Sequence, residues 1–154
     1  MFKKSKLKKC HLFSNLTDEE LKLVADITEE RKEKKGTVLF YEGSNNQDLY
    51  LIIDGTVEIS ICITLEEKFV ITKVKNGGII GDFAFVDEGA RSATATVVDD
   101  AHLLVISKSA FEKLIFEHPR IGLVIYKELA KEVCKKIRER NKELRSSLIW
   151  ESLE

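Results

Sequence analysis

The sequence predicts a mainly β domain, a sandwich or barrel, with a short helix before the strands and a long helix after them. Three observations carry that prediction. Between about 37 and 106, short runs rich in β-branched and aromatic residues alternate with glycine, asparagine and aspartate punctuation. On both sides of this region the apolar residues recur at helical spacing. The chain has 154 residues with an apolar fraction of 44%, enough for one domain with its own core.

Taken in order, the first segment is basic: five lysines fall within residues 1–9. No apolar run follows it, so it does not read as a signal peptide. The expectation is a solvated tail over 1–9 and a domain over 10–150. Thr17-Asp18-Glu19-Glu20 fits a capping box, and Leu21, Val24 and Ile27 continue at helical spacing. A helix is expected over about 17–28, after a turn near His11–Asn15. Expected strands are 37–41, 49–53, 56–63, 68–74, 93–98 and 102–106. Asp54-Gly55, between two apolar runs, reads as a tight hairpin turn. Ser107 or Ser109 can cap a helix that ends near Glu117, because the residue before Pro119 avoids helical angles. Proline suits the first turn of the next helix, expected over about 119–150. On that helix Leu123, Ala130, Ile137 and Leu144 recur every seven residues, with Arg140 and Asn141 interrupting the seam. The stripe suits either the parent domain or a second copy of the helix in a homodimer.

Composition narrows the function classes. The net charge is −1 with 33% charged residues, which argues against a generally basic nucleic-acid binder. No apolar run approaches the roughly 20 residues of a membrane span. Cys10, Cys62 and Cys134 are odd in number and far apart, which favours a reducing, cytoplasmic setting over a disulfide framework. His11, His102 and His118 are scattered and form no metal-ligand pattern, so no metal, cofactor or catalytic residue is expected and the chain does not read as an enzyme.

Chemistry concentrates in Gly81–Ala93, which must leave the sheet and return to it. Gly81 permits unusual backbone angles or a close approach. Phe83–Asp87 can form one helical turn whose free N–H groups attract an anion. Arg91 offers a planar fork suited to phosphate, Ser92 a hydroxyl, and Asp82 an acceptor for sugar hydroxyls. These residue types describe a nucleotide monophosphate site. They equally allow Arg91 to pair with Asp87 or Glu88.

Gly-Asp-Phe-Ala-Phe, five variable residues, then Arg91-Ser92-Ala93 resembles the phosphate-binding cassette of the cyclic nucleotide-binding domain family. His11–Thr17 resembles that family's opening segment, Lys35–Gly43 its first strand and turn, and Asp48–Val57 its next strands. The resemblance covers about residues 10–145 and implies a double-stranded β-helix (jelly-roll) with flanking helices. It implies that Arg91, Ser92 and backbone N–H groups near Ala84 and Phe85 hold a phosphate. Asp82 and the backbone at Gly81 would hold the ribose, with Phe83 and Ala93 in the same cassette. Val70 and Thr72 would line the base side. The last helix would act as a lid, with Lys136, Ile137 and Arg140 nearest the base. In two respects the chain departs from the family. Asp82 stands where glutamate is usual, shorter by one C–C bond, about 1.5 Å. Phe83 and Phe85 replace the usual leucines.

The resulting expectation is a sensor for a cyclic nucleotide, cyclic AMP favoured over cyclic GMP, that signals through its last helix to a downstream protein. No helix-turn-helix follows that helix, so a free-standing module, or a fragment of something larger, without DNA binding is expected. The alternative is a degenerate member that binds no nucleotide and serves as an interaction or dimerisation module.

Overall fold

In chain order the computed structural model, which describes residues 2–153, contains α1 (Phe2–Lys8), a 3-10 turn (His11–Phe13), α2 (Asp18–Asp26), β1 (Thr28–Glu33), β2 (Val38–Phe40), β3 (Leu49–Cys62), β4 (Lys68–Val74), β5 (Ile79–Ile80), α3 (Asp82–Asp87), β6 (Thr94–Ile106), α4 (Lys108–Glu117) and α5 (Pro119–Glu151). The strands pair antiparallel in the order β1-β6-β3-β4, with β2 added on β6 and β5 on β3. The mainly β architecture with helices at both ends is the one the hydrophobic periodicity predicts.

Strand alternation divides the interior into two cores. Side chains two residues apart share a face. Leu49 and Leu51 of β3, with Leu104 and Ile106 of β6, face the helices and meet Leu12, Phe13, Leu21, Phe111 and Ile125. The intervening Tyr50, Ile52, Leu103 and Val105 face the inside of the roll, with Phe40, Val57 and Val97. Ile79 and Ile80 split the same way, so β5 delivers the chain to α3 from between the cores.

Several expectations are corrected. Residues 2–8 are not a solvated tail. Leu7 is fully buried, Phe2 stacks on His102 with centroids 5.3 Å apart, and Lys3 Nζ donates to the Thr28 carbonyl. One buried leucine contributes about 1.5–3 kcal/mol, which outweighs the mutual repulsion of solvated lysines. Asp54-Gly55 is not a hairpin either: β3 runs straight through it, and β6 runs through Asp99-Asp100 opposite. The β3–β6 register shifts between Ile52 and Asp54 and again up to Val57. Gly55 has φ +91, and a Cβ there would lie 2.7 Å from Ala101 Cα. The pair is a bulge that bends two long strands together, rather than a turn joining two short ones. β1 lacked any strand signal because Thr-Glu-Glu-Arg-Lys-Glu is charged; its partner β6 holds it.

The helices follow local chemistry. Thr17 and Glu20 form the reciprocal capping box of α2. Ser107 Oγ accepts from the Ala110 N–H and starts α4. Pro119 opens α5, which runs 33 residues. Ile121, Gly122, Ile125 and Leu129 bury against the domain. The seven-residue seam does not: Leu123, Ile137 and Leu144 are 71%, 51% and 58% exposed. Among the described residues no helix is long and apolar enough to cross a membrane, and no His, Cys, Asp and Glu cluster is arranged to hold a metal.

Candidate functional site

The site grows from Gly81, which caps the amino end of α3 at φ 80, ψ 10. A Cβ at this position would stand 2.6 Å from Arg91 Nη1 and 2.7 Å from the Asp48 carbonyl. Both backbone angle and space therefore demand glycine. The Phe85 N–H donates to the Gly81 carbonyl at 3.2 Å. It is the first N–H the helix consumes, so the groups without an intrahelical acceptor are those of Asp82, Phe83 and Ala84. The Phe85 amide expected to help hold an anion is thus already used, and its ring is fully buried in the helical core. Glu88 closes α3 at φ 60, with its N–H donating to the Ala84 carbonyl.

Arg91 lies beneath this helix, 3% exposed. Nη1 donates to the Gly81 carbonyl at 3.0 Å, and Nη2 to the Asn46 side chain and to the Asp48 carbonyl at 2.7 Å. The guanidinium stacks on Phe40, 4.0 Å from the ring centroid. Its backbone is clipped to the preceding loop in both directions, Gly43 N–H to the Arg91 carbonyl and Arg91 N–H to the Ser44 carbonyl. Burial lowers the Arg91 pKa; Tyr50, Asp48 and Asp82 oppose that shift. Nε is buried without a hydrogen-bond partner. Pairing with Asp87 or Glu88 does not occur. Asp87 accepts from the Gly89 N–H, and Glu88 faces Lys108.

Arg91 is part of the wall of a cleft of about 580 Å³ between β4, α3 and α5. That is the size range of small-molecule sites, roughly 300–1,000 Å³. Of the residues singled out from sequence, Gly81, Asp82, Phe83, Ala84, Arg91, Ser92, Ala93 and Thr72 line it, and so do Lys136, Ile137 and Arg140 of α5. Phe85 does not, for the reason above. Val70 does not either. The β3–β4 register shifts between Ile59 and Ser60, leaving Ile71 as the extra residue and reversing strand parity, so Ile71 lines the cleft instead. Asp82 is 4% exposed, and Lys136 reaches down from α5 to it at 2.8 Å and to the Ile79 carbonyl at 3.3 Å. Lys136, expected from sequence near a base, thereby engages Asp82, the carboxylate expected to face a sugar.

Asn46, Asp48 and Phe40, which fix the guanidinium, were missed from sequence. Phe40 reads in sequence only as an aromatic in a strand; the fold alone brings it against Arg91. Asp48 carried no signal, since its part toward Arg91 is played by a main-chain carbonyl.

A cyclic nucleotide-binding domain family model matches residues 30–118, more than half of the chain. Among curated proteins, the cyclic AMP receptor protein of Thermus thermophilus is 31% identical over 133 residues, covering 86% of this chain and 60% of that protein. A cAMP-dependent protein kinase regulatory subunit from Debaryomyces hansenii is 28% identical over 109 residues, 71% of this chain and 23% of that one. The crystal structure of the Thermus thermophilus catabolite activator protein superposes with a TM-score of 0.72 at 29% identity, over 87% of this chain and 61% of that one. The jelly-roll with N-terminal helices and a long C-terminal helix is thus shared with these regulators, and the chain spans 60% of the first curated relative and 23% of the second. On the family match over residues 30–118 and the cassette geometry around Arg91, the chain belongs to the cyclic nucleotide-binding domain family.

Proposed function

We propose that this domain is a sensor that binds a cyclic nucleotide, cyclic AMP in preference to cyclic GMP, and reports it through the position of α5. The observation that carries the reading is the Nε of Arg91: a buried donor with no partner, in the wall of a cleft of nucleotide size. A buried unsatisfied donor costs about 1–3 kcal/mol, which a phosphate oxygen relieves. Arg91 then acts as a fixed cation, Ser92 adds an exposed hydroxyl, and the Phe83 and Ala84 N–H groups add the helix end. Thr72, Ile71 and α5 face the base. The two named relatives are a cyclic AMP receptor and a cyclic-AMP-dependent regulatory subunit, which supports the choice of base. Closure of α5 over the base is a population shift, driven by higher ligand affinity for the closed state. The exposed seam Leu123, Ile137 and Leu144 serves a homodimer or a downstream protein.

The second reading, a fold that binds no nucleotide and acts as an interaction module, has one observation on its side: Asp82 is already paired with Lys136. Titration calorimetry with cyclic AMP and cyclic GMP separates the two. Saturable heat with cyclic AMP, stronger than with cyclic GMP, is expected; no heat from either at millimolar concentration overturns the sensor.

A further inference from the structure

One buried cation outside the cleft is unused by the binding reading. Lys108, the first residue of α4, is 7% exposed. Its Nζ donates to the Phe85 carbonyl at the end of α3 and, at 2.8 Å, to the Tyr126 hydroxyl on α5. The Glu88 and Glu112 carboxylates stand 3.7 and 3.8 Å away. The ammonium lies over the Phe85 ring at 4.9 Å and the Tyr126 ring at 5.2 Å.

An ammonium has three donors and is costly to bury without acceptors for them. Here the acceptors belong to different elements, which is what a connector requires and a mere space-filler does not. The Phe85 carbonyl belongs to the carboxyl end of α3, where a cation also complements the helix dipole. The opposite end of α3 is Gly81 and the cleft. Six residues at 1.5 Å rise make α3 a rod of about 9 Å, with the ligand cleft at one end and Lys108 at the other. A second path meets at the same residue. The Lys108 N–H donates to Asp48 Oδ1 at 3.2 Å, and the Asp48 carbonyl accepts from Arg91 Nη2. Arg91 and α3 therefore both terminate on Lys108, and Lys108 terminates on Tyr126 of α5.

We propose that Lys108 is the positioning residue that transmits the state of the phosphate cassette to α5, through the Tyr126 hydroxyl. This rests on the sensor reading for its ligand, but the linkage itself exists without ligand. A shift of α3 or Arg91 on anion binding moves the Phe85 carbonyl and Asp48 relative to Lys108. The ammonium then either drags the Tyr126 hydroxyl with it or releases it, and α5 moves about its buried segment Ile121–Leu129.

The test is hydrogen exchange of α3 and α5 in wild type, Lys108→Met, Tyr126→Phe and the double variant, with and without saturating cyclic AMP, alongside calorimetry. Methionine keeps the buried stem without charge. Phenylalanine deletes only the hydroxyl, so it remains informative if Lys108→Met fails to fold. Without ligand, each single variant should speed exchange in both α3 and α5 by about tenfold, and the double variant should add nothing further, as expected for one shared contact. With ligand, Tyr126→Phe should still bind cyclic AMP, more weakly than wild type by the lost coupling, and show no ligand-dependent change in α5. Additive single effects, or an α5 response in Tyr126→Phe equal to wild type, overturns the role of Lys108. If wild type binds no cyclic AMP, the sensor reading falls, and the ligand-free comparison alone decides the linkage.

Discussion

Lys136 of α5 places its ammonium 2.8 Å from the Asp82 carboxylate at the first turn of α3. Asp82 is buried, and this contact holds the long helix over the cleft. On the proposed sensor reading, a ribose hydroxyl must share or displace it. A charged hydrogen bond is worth roughly 1.5–3 kcal/mol, about 10- to 150-fold in affinity, if fully made to the sugar. With Asp82 both shortened and pre-engaged, little of that should reach the ligand. Wild type should therefore separate cyclic AMP from 2′-deoxy cyclic AMP by only about threefold. In Lys136→Met the carboxylate is free, and the separation should widen to about tenfold or more. Competition titration of the two ligands against both proteins measures this; an unchanged ratio would show that Asp82 does not face the sugar.

Gly81 sustains the cassette by having no side chain. In Gly81→Ala the left-handed backbone alone costs roughly 1–2 kcal/mol, and the methyl meets Arg91 Nη1 and the Asp48 carbonyl. Urea unfolding should show a loss of at least about 1 kcal/mol, and ligand binding should fall with it. A variant as stable as wild type would mean that the cassette can rearrange freely.

Leu7 tests the docked amino-terminal helix. Leu7→Ala should cost about 2–5 kcal/mol, as for other buried leucines. Leu7 does not line the cleft, so nucleotide affinity should be unchanged at temperatures where the variant is folded. A loss below about 0.5 kcal/mol in denaturant melts would return residues 2–8 to the role of a solvated tail.

Glu20 gives the domain an acid-sensitive contact. Its carboxylate bonds Arg120 and accepts from the Thr17 N–H, and these hydrogen bonds hold its pKa below the ordinary glutamate range, Arg120 first. A depressed carboxyl pKa contributes stability that is present above the unfolded value near 4.3 and lost as pH falls through the folded value. Glu20→Gln keeps a capping acceptor but removes the charge. Its melting temperature should lie below wild type at pH 7 and converge with it as pH falls below about 4. Parallel curves would remove Glu20 from the acid response.

The cassette was legible because its signals are side-chain identities at fixed spacing: Gly81, Asp82, Arg91 and Ser92 reach one cleft as their chemistry suggested. What escaped the sequence has physical causes. Asp54-Gly55 looks like a turn because the residues suited to a type I′ turn are also those suited to a bulge; only the opposing Asp99-Asp100 distinguishes them. Thr28–Glu33 pairs through its backbone, so its charged side chains give no strand pattern. The Val70 position failed by one residue, since a single bulge at Ile59–Ser60 reverses every side chain beyond it. The support of Arg91 by Asp48 is carried by a carbonyl, and Lys108 resembled any solvated lysine before Phe85 and Tyr126 were seen to enclose it.

On the proposed sensor reading, the unpartnered Nε–H of Arg91 awaits an anion. Nitrogen-15 NMR resolves arginine Nε–H groups individually, and Arg91 is assigned by comparison with an Arg91→Lys sample. On titration with cyclic AMP, its Nε–H resonance should move downfield and become protected from exchange with water in step with saturation. A resonance that stays in place while cyclic AMP saturates the protein, or a protein that takes up no cyclic AMP at millimolar concentration, contradicts it.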